Sequence, residues 1–122
     1  MTQQQSAASP LSTEMQNAID ACMSCHTVCE EALSACMTME GQTAQTQIMR
    51  ALMDCSELTR ICADLVMRRS PMAAEMCTLC ATACELCAEA CMSMPDDTRL
   101  IHCAEACRRC AETCRTMAGA AM

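Results

Sequence analysis

Apolar residues recur at helical spacing in four segments of the chain, and short breaks separate them. The segments cover about 13–40, 44–69, 71–94 and 96–117. Ala, Glu, Met, Leu and Arg dominate all four, and these residues favour helix. Gly41, Ser70-Pro71 and Pro95 lie at the breaks, as is typical of helix ends and starts. Long helices with short connections pack antiparallel, so the pattern predicts an all-α fold, an up-down-up-down four-helix bundle.

The length of 122 residues leaves room for one domain. The bundle is predicted to occupy residues 13–118. Residues 1–12 are interpreted as a flexible N-terminal segment and residues 119–122 as a C-terminal tail.

Cysteine forms most of the apolar stripe in these helices. In the third helix the cysteines are spaced 3, 4, 3, 4, and in the fourth 4, 3, 4, which is the heptad stripe that faces a bundle's interior. The first helix keeps the same phase, with Ala32 at a skipped position, and the second has two cysteines one heptad apart beside Leu and Ile. The cysteines are Cys22, Cys25, Cys29, Cys36, Cys55, Cys62, Cys77, Cys80, Cys84, Cys87, Cys91, Cys103, Cys107, Cys110 and Cys114. We therefore expect a cysteine-lined core.

The composition agrees with a core built of sulfur. The chain has 15 Cys and 14 Met but no Phe, Tyr, Trp or Lys, and only fourteen Leu, Ile and Val residues. Such a low aliphatic content is often a sign of disorder. The charged fraction is only 19%, however, and Cys and Met are both apolar residues that favour the interior.

Charge and the N-terminal sequence exclude several classes of function. A formal net charge of −7 argues against nucleic-acid binding. The longest apolar runs are too short to span a membrane, and residues 1–12 do not have the pattern of an export signal, so a cytoplasmic location is expected. Thiols in the cytosol stay mostly reduced, so a cysteine-dense chain there favours metal binding over disulfides.

Other uses of the thiols are less consistent with the pattern. As plain core filler, fifteen facing thiols would be inferior to Leu and easily oxidised. Disulfides between residues four apart on a helix would be strained, because their Cβ vectors run nearly parallel, and the number of cysteines is odd. A thioredoxin-like redox enzyme would need a strand before an exposed Cys-x-x-Cys, and the chain has no strand pattern. We predict no catalytic residues and a protein that is not an enzyme.

Soft sulfur ligands select Cu(I), Zn(II) or iron–sulfur clusters. Iron–sulfur ligands usually lie on irregular loops, and the Glu-x-x-His pairs of a di-iron bundle are absent. Zinc requires closed sets of four ligands and rarely uses Met. Cu(I) accepts two or three sulfurs, including Cys-x-x-x-Cys pairs on one helix. One ion per thiolate would cancel the buried charge, which predicts on the order of 15 Cu(I) per chain. A metallothionein-like protein that detoxifies zinc or other soft metals is the alternative.

Methionines extend the stripes beyond the last cysteines toward both ends of the bundle. Met39, Met94 and His102 are candidate additional ligands at a mouth formed by the first and third connections, because thioether and imidazole suit copper. Met15 is predicted to be core or surface rather than a ligand, and His26 a surface side chain.

The stretches MCTLCATACELCAEACMSM and HCAEACRRCAETCRTMA resemble the third and fourth helices of the bacterial copper storage protein family. DCSELTRICADL and CMSCHTVCEEALSAC are similar to it more loosely. The resemblance implies a cysteine-lined four-helix bundle that holds many Cu(I) ions and, as in the cytosolic branch, assembles as a homo-tetramer. Relatives often carry several His before the last helix, where this chain has Met92, Met94 and only His102, which favours a methionine-lined mouth. The expected partners are copper ions, a copper chaperone or acceptor and further copies of the chain, with neither nucleic acid nor a membrane.

Overall fold

The chain folds as four helices in a computed structural model, which describes residues 10–38 and 42–120. The helices are α1 (Thr13–Cys36), α2 (Gln42–Met67), α3 (Ala73–Met92) and α4 (Thr98–Ala120). α1 packs against α2 and α4, and α3 packs against the same two helices. The predicted all-α four-helix bundle is therefore confirmed. Among the described helices, none combines the length and the apolar character that a membrane crossing requires.

The helical region begins at Thr13, as predicted, and ends at Ala120, two residues beyond the predicted residue 118. Ser12, assigned above to the flexible N-terminal segment, caps α1, because its Oγ accepts a hydrogen bond from the N–H of Met15 at 3.1 Å. α4 continues through Gly119 to Ala120, so helix covers the start of the predicted tail. Gly41, predicted to end α1, lies outside the described residues.

α2 ends in a conformation that the sequence does not signal. Arg69 has a φ of 54°, the left-handed conformation that glycine usually supplies at this position. The N–H of Ser70 then donates to the carbonyl of Leu65 at 2.9 Å, which closes the last turn. Ser70 Oγ accepts from the N–H of Met72 at 3.1 Å. Ser70 therefore caps a turn, and α3 begins at Ala73 rather than at the predicted residue 71, so Pro71 precedes it.

The first and third connections are longer than the sequence predicts. α1 ends at Cys36, and Met37 and Thr38 follow it in a turn. α4 begins at Thr98 rather than at 96, because Asp97 Oδ1 accepts the backbone N–H of Arg99 at 2.9 Å and so occupies the capping position. These shifts move the helix ends without changing which residues face the axis.

The core is built of thiols and a few aliphatic side chains. All fifteen cysteines are buried. α2 contributes most of the larger aliphatic groups, with Ile48, Leu52, Leu65 and Val66 all buried. The helix with the fewest cysteines thus supplies the ordinary apolar packing that stabilises the bundle.

We expect Leu52→Ala to lower the free energy of unfolding of the metal-free protein by about 2–5 kcal/mol. Leu52 is fully buried, so the change removes apolar contacts and leaves a cavity. Urea denaturation followed by circular dichroism measures the change. Met53, next to Leu52 on α2, is 49% exposed, and Met53→Ala is the control, with an expected effect of about 0.5 kcal/mol or less. Equal losses in the two variants would contradict this view of the core.

Candidate metal centre

Sulfur atoms from different helices approach one another closely along the bundle axis. Cys22 Sγ lies 3.6 Å from Cys114 Sγ, which joins α1 to α4. The Sγ atoms of Cys62 and Cys77 are 3.6 Å apart and join α2 to α3. Heptad spacing explains these contacts, because it keeps one stripe of each helix facing the axis over its whole length.

Thirteen of the fifteen thiols fall into five groups whose sulfurs all lie within 4.8 Å of one another. We call these groups the sulfur clusters. From the end that holds the chain termini they are Cys62/Cys77/Cys114, Cys22/Cys80/Cys110/Cys114, Cys25/Cys84/Cys110, Cys25/Cys29/Cys55/Cys107 and Cys29/Cys87/Cys103/Cys107. Each cluster takes its sulfurs from three different helices.

Neighbouring clusters share sulfurs. Cys114 belongs to the first and second, Cys110 to the second and third, and Cys25 to the third and fourth. Cys29 and Cys107 both belong to the fourth and the fifth. The clusters therefore form one continuous row of thiols, which we call the sulfur track.

The spacing in the track suits metal ions bridged by thiolates. With a metal–sulfur bond of about 2.3 Å, two sulfurs on one ion lie roughly 3.8 Å apart in tetrahedral and 4.6 Å apart in linear coordination. Two Cys-x-x-x-Cys pairs on one helix are close, with the sulfurs of Cys25 and Cys29 at 4.0 Å and those of Cys110 and Cys114 at 3.9 Å. Contacts between helices are at least as close, including Cys25 to Cys55 at 3.8 Å. Ions could therefore be held between helices as well as along one helix.

Crowding of thiols changes how readily each one loses its proton. Hydrogen bonding with Cys107 and Cys29 lowers the pKa of Cys103 to about 5. Hydrogen bonding with Cys114 raises the pKa of Cys77 to about 12. Thiols of low and high pKa thus occur in the same track, because a thiolate is stabilised by neighbouring groups that keep their protons.

Cys36 and Cys91 are buried but belong to none of the sulfur clusters in the described residues. Burial raises the pKa of Cys36, and Asp97 adds to the effect. The two cysteines lie toward the end formed by the first and third connections, where the sequence predicts a mouth. There Met94 is half-buried against the core and His102 is exposed. Met39, the third candidate ligand, lies outside the described residues.

The prediction that His26 is a surface side chain is wrong. His26 is half-buried between α1 and α2, and its Nδ1–H donates to the carbonyl oxygen of Ser56 at 2.8 Å. Ser56 Oγ donates in turn to the carboxylate of Glu30. Each of these residues directly follows an axis-facing cysteine in the sequence, so the heptad pattern places it at the boundary between two helices. The heptad position is the sequence feature from which this contact could have been predicted.

Thr59 occupies the axis-facing position of α2 between Cys55 and Cys62, whereas α3 and α4 carry thiols at every such position. It is fully buried, and its hydroxyl donates to the carbonyl of Cys55 at 2.8 Å and to that of Ser56 at 3.0 Å. A satisfied hydroxyl is tolerated in the core. It leaves the track with one sulfur fewer on α2.

A four-helix bundle whose axis is lined by clustered, buried thiols is a metal-binding protein for soft, thiol-seeking ions. The copper storage protein family matches residues 11–119. The chain belongs to the copper storage protein family, so the resemblance found in the sequence is confirmed. Copper is the ion of this family, and the sulfur clusters could hold several ions.

Solved structures agree with this assignment. The Cu(I)-bound copper storage protein BsCsp3 is 30% identical, with a TM-score of 0.81 over 87% of this chain and 99% of that one. Apo-Csp3 from Bacillus subtilis is 30% identical, with a TM-score of 0.77 over 84% and 97%. A cytosolic copper storage protein from Streptomyces lividans with five coppers is 25% identical, with a TM-score of 0.82 over 87% and 92%. No curated protein matches the chain.

Proposed function

We propose that the chain stores and buffers Cu(I), and that the thiolates of all fifteen cysteines bind on the order of 15 cuprous ions. The sulfur track is the observation that carries this proposal. Consecutive sulfur clusters share Cys114, Cys110, Cys25, Cys29 and Cys107, so one sulfur lies within reach of two ions. Bridging thiolates allow the number of ions to approach the number of sulfurs.

Charge supports the same stoichiometry. Fifteen unpaired thiolates in a buried core would each cost several kcal/mol. One Cu(I) per thiolate leaves the core neutral, because each ion replaces one proton. The protein then resembles a store more than a catalyst, and we assign it no catalytic residue.

Zinc is the alternative occupant, and the three sulfur clusters with four thiols each are the observation that favours it. A closed zinc site uses four ligands, so fifteen thiols would hold roughly three or four zinc ions. Shared sulfurs could bridge zinc ions as well, but each zinc ion still needs four ligands where Cu(I) needs two or three, so zinc uptake stays well below copper uptake. Cu(I), which accepts two or three sulfurs, uses the three-sulfur clusters equally well.

An anaerobic titration of the reduced, metal-free protein tests the proposal. We expect uptake on the order of 15 Cu(I) from a chromophoric Cu(I) chelate, counted by elemental analysis beside a thiol assay. A parallel titration with Zn(II) is expected to stop at roughly three or four ions. Uptake of about one Cu(I) per chain, or equal numbers of the two metals, would contradict copper storage.

We also propose where copper enters and leaves the protein, and where the protein is located in the cell. Met94, half-buried beyond Cys91, and exposed His102, which precedes buried Cys103, would admit and release copper at one end, together with Met39. A copper chaperone or another acceptor would exchange ions there. We place the protein in the cytosol, and the cytosolic relative from Streptomyces lividans supports this.

Self-association is also proposed, as a homo-oligomer and by family resemblance a tetramer. Leu79 and Leu86 support it, because they are 50% and 58% exposed and lie one heptad apart on the outer face of α3. A second copy of the chain would cover this apolar stripe.

A further inference from the structure

A pocket of about 720 Å³ lies at the end of the bundle that holds the chain termini and the α2–α3 connection. All four helices line it, with Met15 from α1, Val66 from α2, Ala73 from α3 and Met117 from α4. A pocket lined by every helix of a bundle lies across its axis. It is therefore at the opposite end from Met94 and His102, in line with the sulfur track.

The pocket adjoins the outermost sulfur cluster. Met117 follows Cys114 by three residues and Val66 follows Cys62 by four, so each lies about one helical turn, or roughly 5.4 Å, beyond a thiol of that cluster. Met117 is only 6% exposed, so its side chain extends into the interior. Met15 is half-buried against the same core.

Small side chains keep this end of the axis open. Ala73 precedes Cys77 by four residues and carries only a methyl group where a larger residue would fill the axis. Ala74 and Ala120 also line the pocket, so small side chains from α3 and α4 border it.

The chemistry of the pocket suits soft cations. The lining includes two thioethers, which are neutral and bind Cu(I) without losing a proton. Glu14 and Glu75 add two carboxylates and Arg69 one guanidinium, so the lining is slightly acidic. The volume lies in the range of about 300–1,000 Å³ typical of small-molecule pockets, so a copper ion fits with donor ligands still attached.

We propose that Met15, predicted from the sequence to be core or surface, forms a labile thioether site for Cu(I) together with Met117, and that this pocket is a second port to the sulfur track. The proposal rests on the proposed storage function. Copper remains Cu(I) as it passes from thioether to thiol sulfur, so no oxidant or reductant is needed. The S–H bonds of the receiving cysteines break as Cu–S bonds form, and their protons leave to water through the same pocket.

Stopped-flow mixing of the reduced, metal-free protein with a chromophoric Cu(I) chelate tests the port. Met15→Leu with Met117→Leu removes both thioethers at nearly constant volume, so the fold is preserved. We expect the initial rate of uptake to fall about twofold, corresponding to roughly 0.4 kcal/mol in the effective barrier, because the mouth at the other end still admits copper. The final number of bound ions should fall by no more than one.

Met23→Leu with Met53→Leu is the matched control, because these methionines are 43% and 49% exposed and line neither the pocket nor the track. Its uptake rate should equal that of the original protein. Ala73→Leu, which narrows the pocket without removing sulfur, should also slow uptake. Unchanged rates in both the Met15/Met117 and the Ala73 variants would overturn the port and leave storage intact. Failure of the original protein to take up many ions would overturn both proposals.

Discussion

A variant with Cys25, Cys29, Cys55 and Cys107 all replaced by alanine should lose more copper than its four missing thiols account for. These residues form the fourth sulfur cluster, and three of them also belong to a neighbouring cluster. The replacement therefore disrupts three of the five clusters. If ions are bridged by shared thiolates, we expect the loaded protein to lose roughly six to eight of about 15 ions, measured by elemental analysis after anaerobic loading.

The matched control removes the same number of thiols from the two ends of the bundle core. Cys36, Cys62, Cys77 and Cys91 replaced by alanine disrupt only one sulfur cluster, because Cys36 and Cys91 belong to none in the described residues. We expect this variant to lose about four ions. Circular dichroism should show equal helix content in both variants. Equal copper losses would mean that the thiols bind independently, which would contradict a continuous track.

The heptad spacing of cysteine was enough to predict both the bundle and the stripe that faces its axis. The helix ends were less predictable, because they depend on single hydrogen bonds. α4 begins at Thr98, two residues after the predicted start, because Asp97 rather than the residue before it caps the helix, and Arg69 adopts a left-handed conformation where no glycine marks the end of α2. Neither arrangement alters the heptad spacing of the cysteines. The residues that face the core could therefore be predicted from the sequence, whereas the exact ends of the helices could not.

The grouping of thiols across helices could not be read from the sequence. Spacing along a helix predicts pairs such as Cys25 and Cys29, but only the packing of α1 against α2 brings Cys55 to 3.8 Å from Cys25. The shift of neighbouring helices relative to one another along the bundle axis decides which thiols of different helices lie side by side. The spacing of cysteines within one helix does not determine that shift. The pocket beside Met15 and Met117 has the same origin, because four separate helix ends enclose it.

Loading with Cu(I) should raise the midpoint of thermal unfolding by at least about 20 °C. Metal that binds the folded chain and not the unfolded one contributes about 2.7 kcal/mol per site at a free concentration one hundred times its dissociation constant. Five occupied sulfur clusters would then contribute roughly 14 kcal/mol, and each kcal/mol raises the midpoint of a chain of this size by about 2–8 °C. Because each cluster joins three helices, occupied clusters cross-link the whole bundle.

Calorimetry of the metal-free and loaded proteins under anaerobic conditions measures this shift. Removal of copper with an excess of chelator should return the midpoint to its metal-free value, because the cross-links are coordinate bonds. In the Cys25/Cys29/Cys55/Cys107 variant the rise should be much smaller, since α2 then contacts the remaining metal only through Cys62. An unchanged midpoint in a protein shown to hold many ions would mean that copper binds the unfolded chain as tightly as the folded one. The thiols would then act as a flexible chelator, and the arrangement of the track would contribute nothing to affinity.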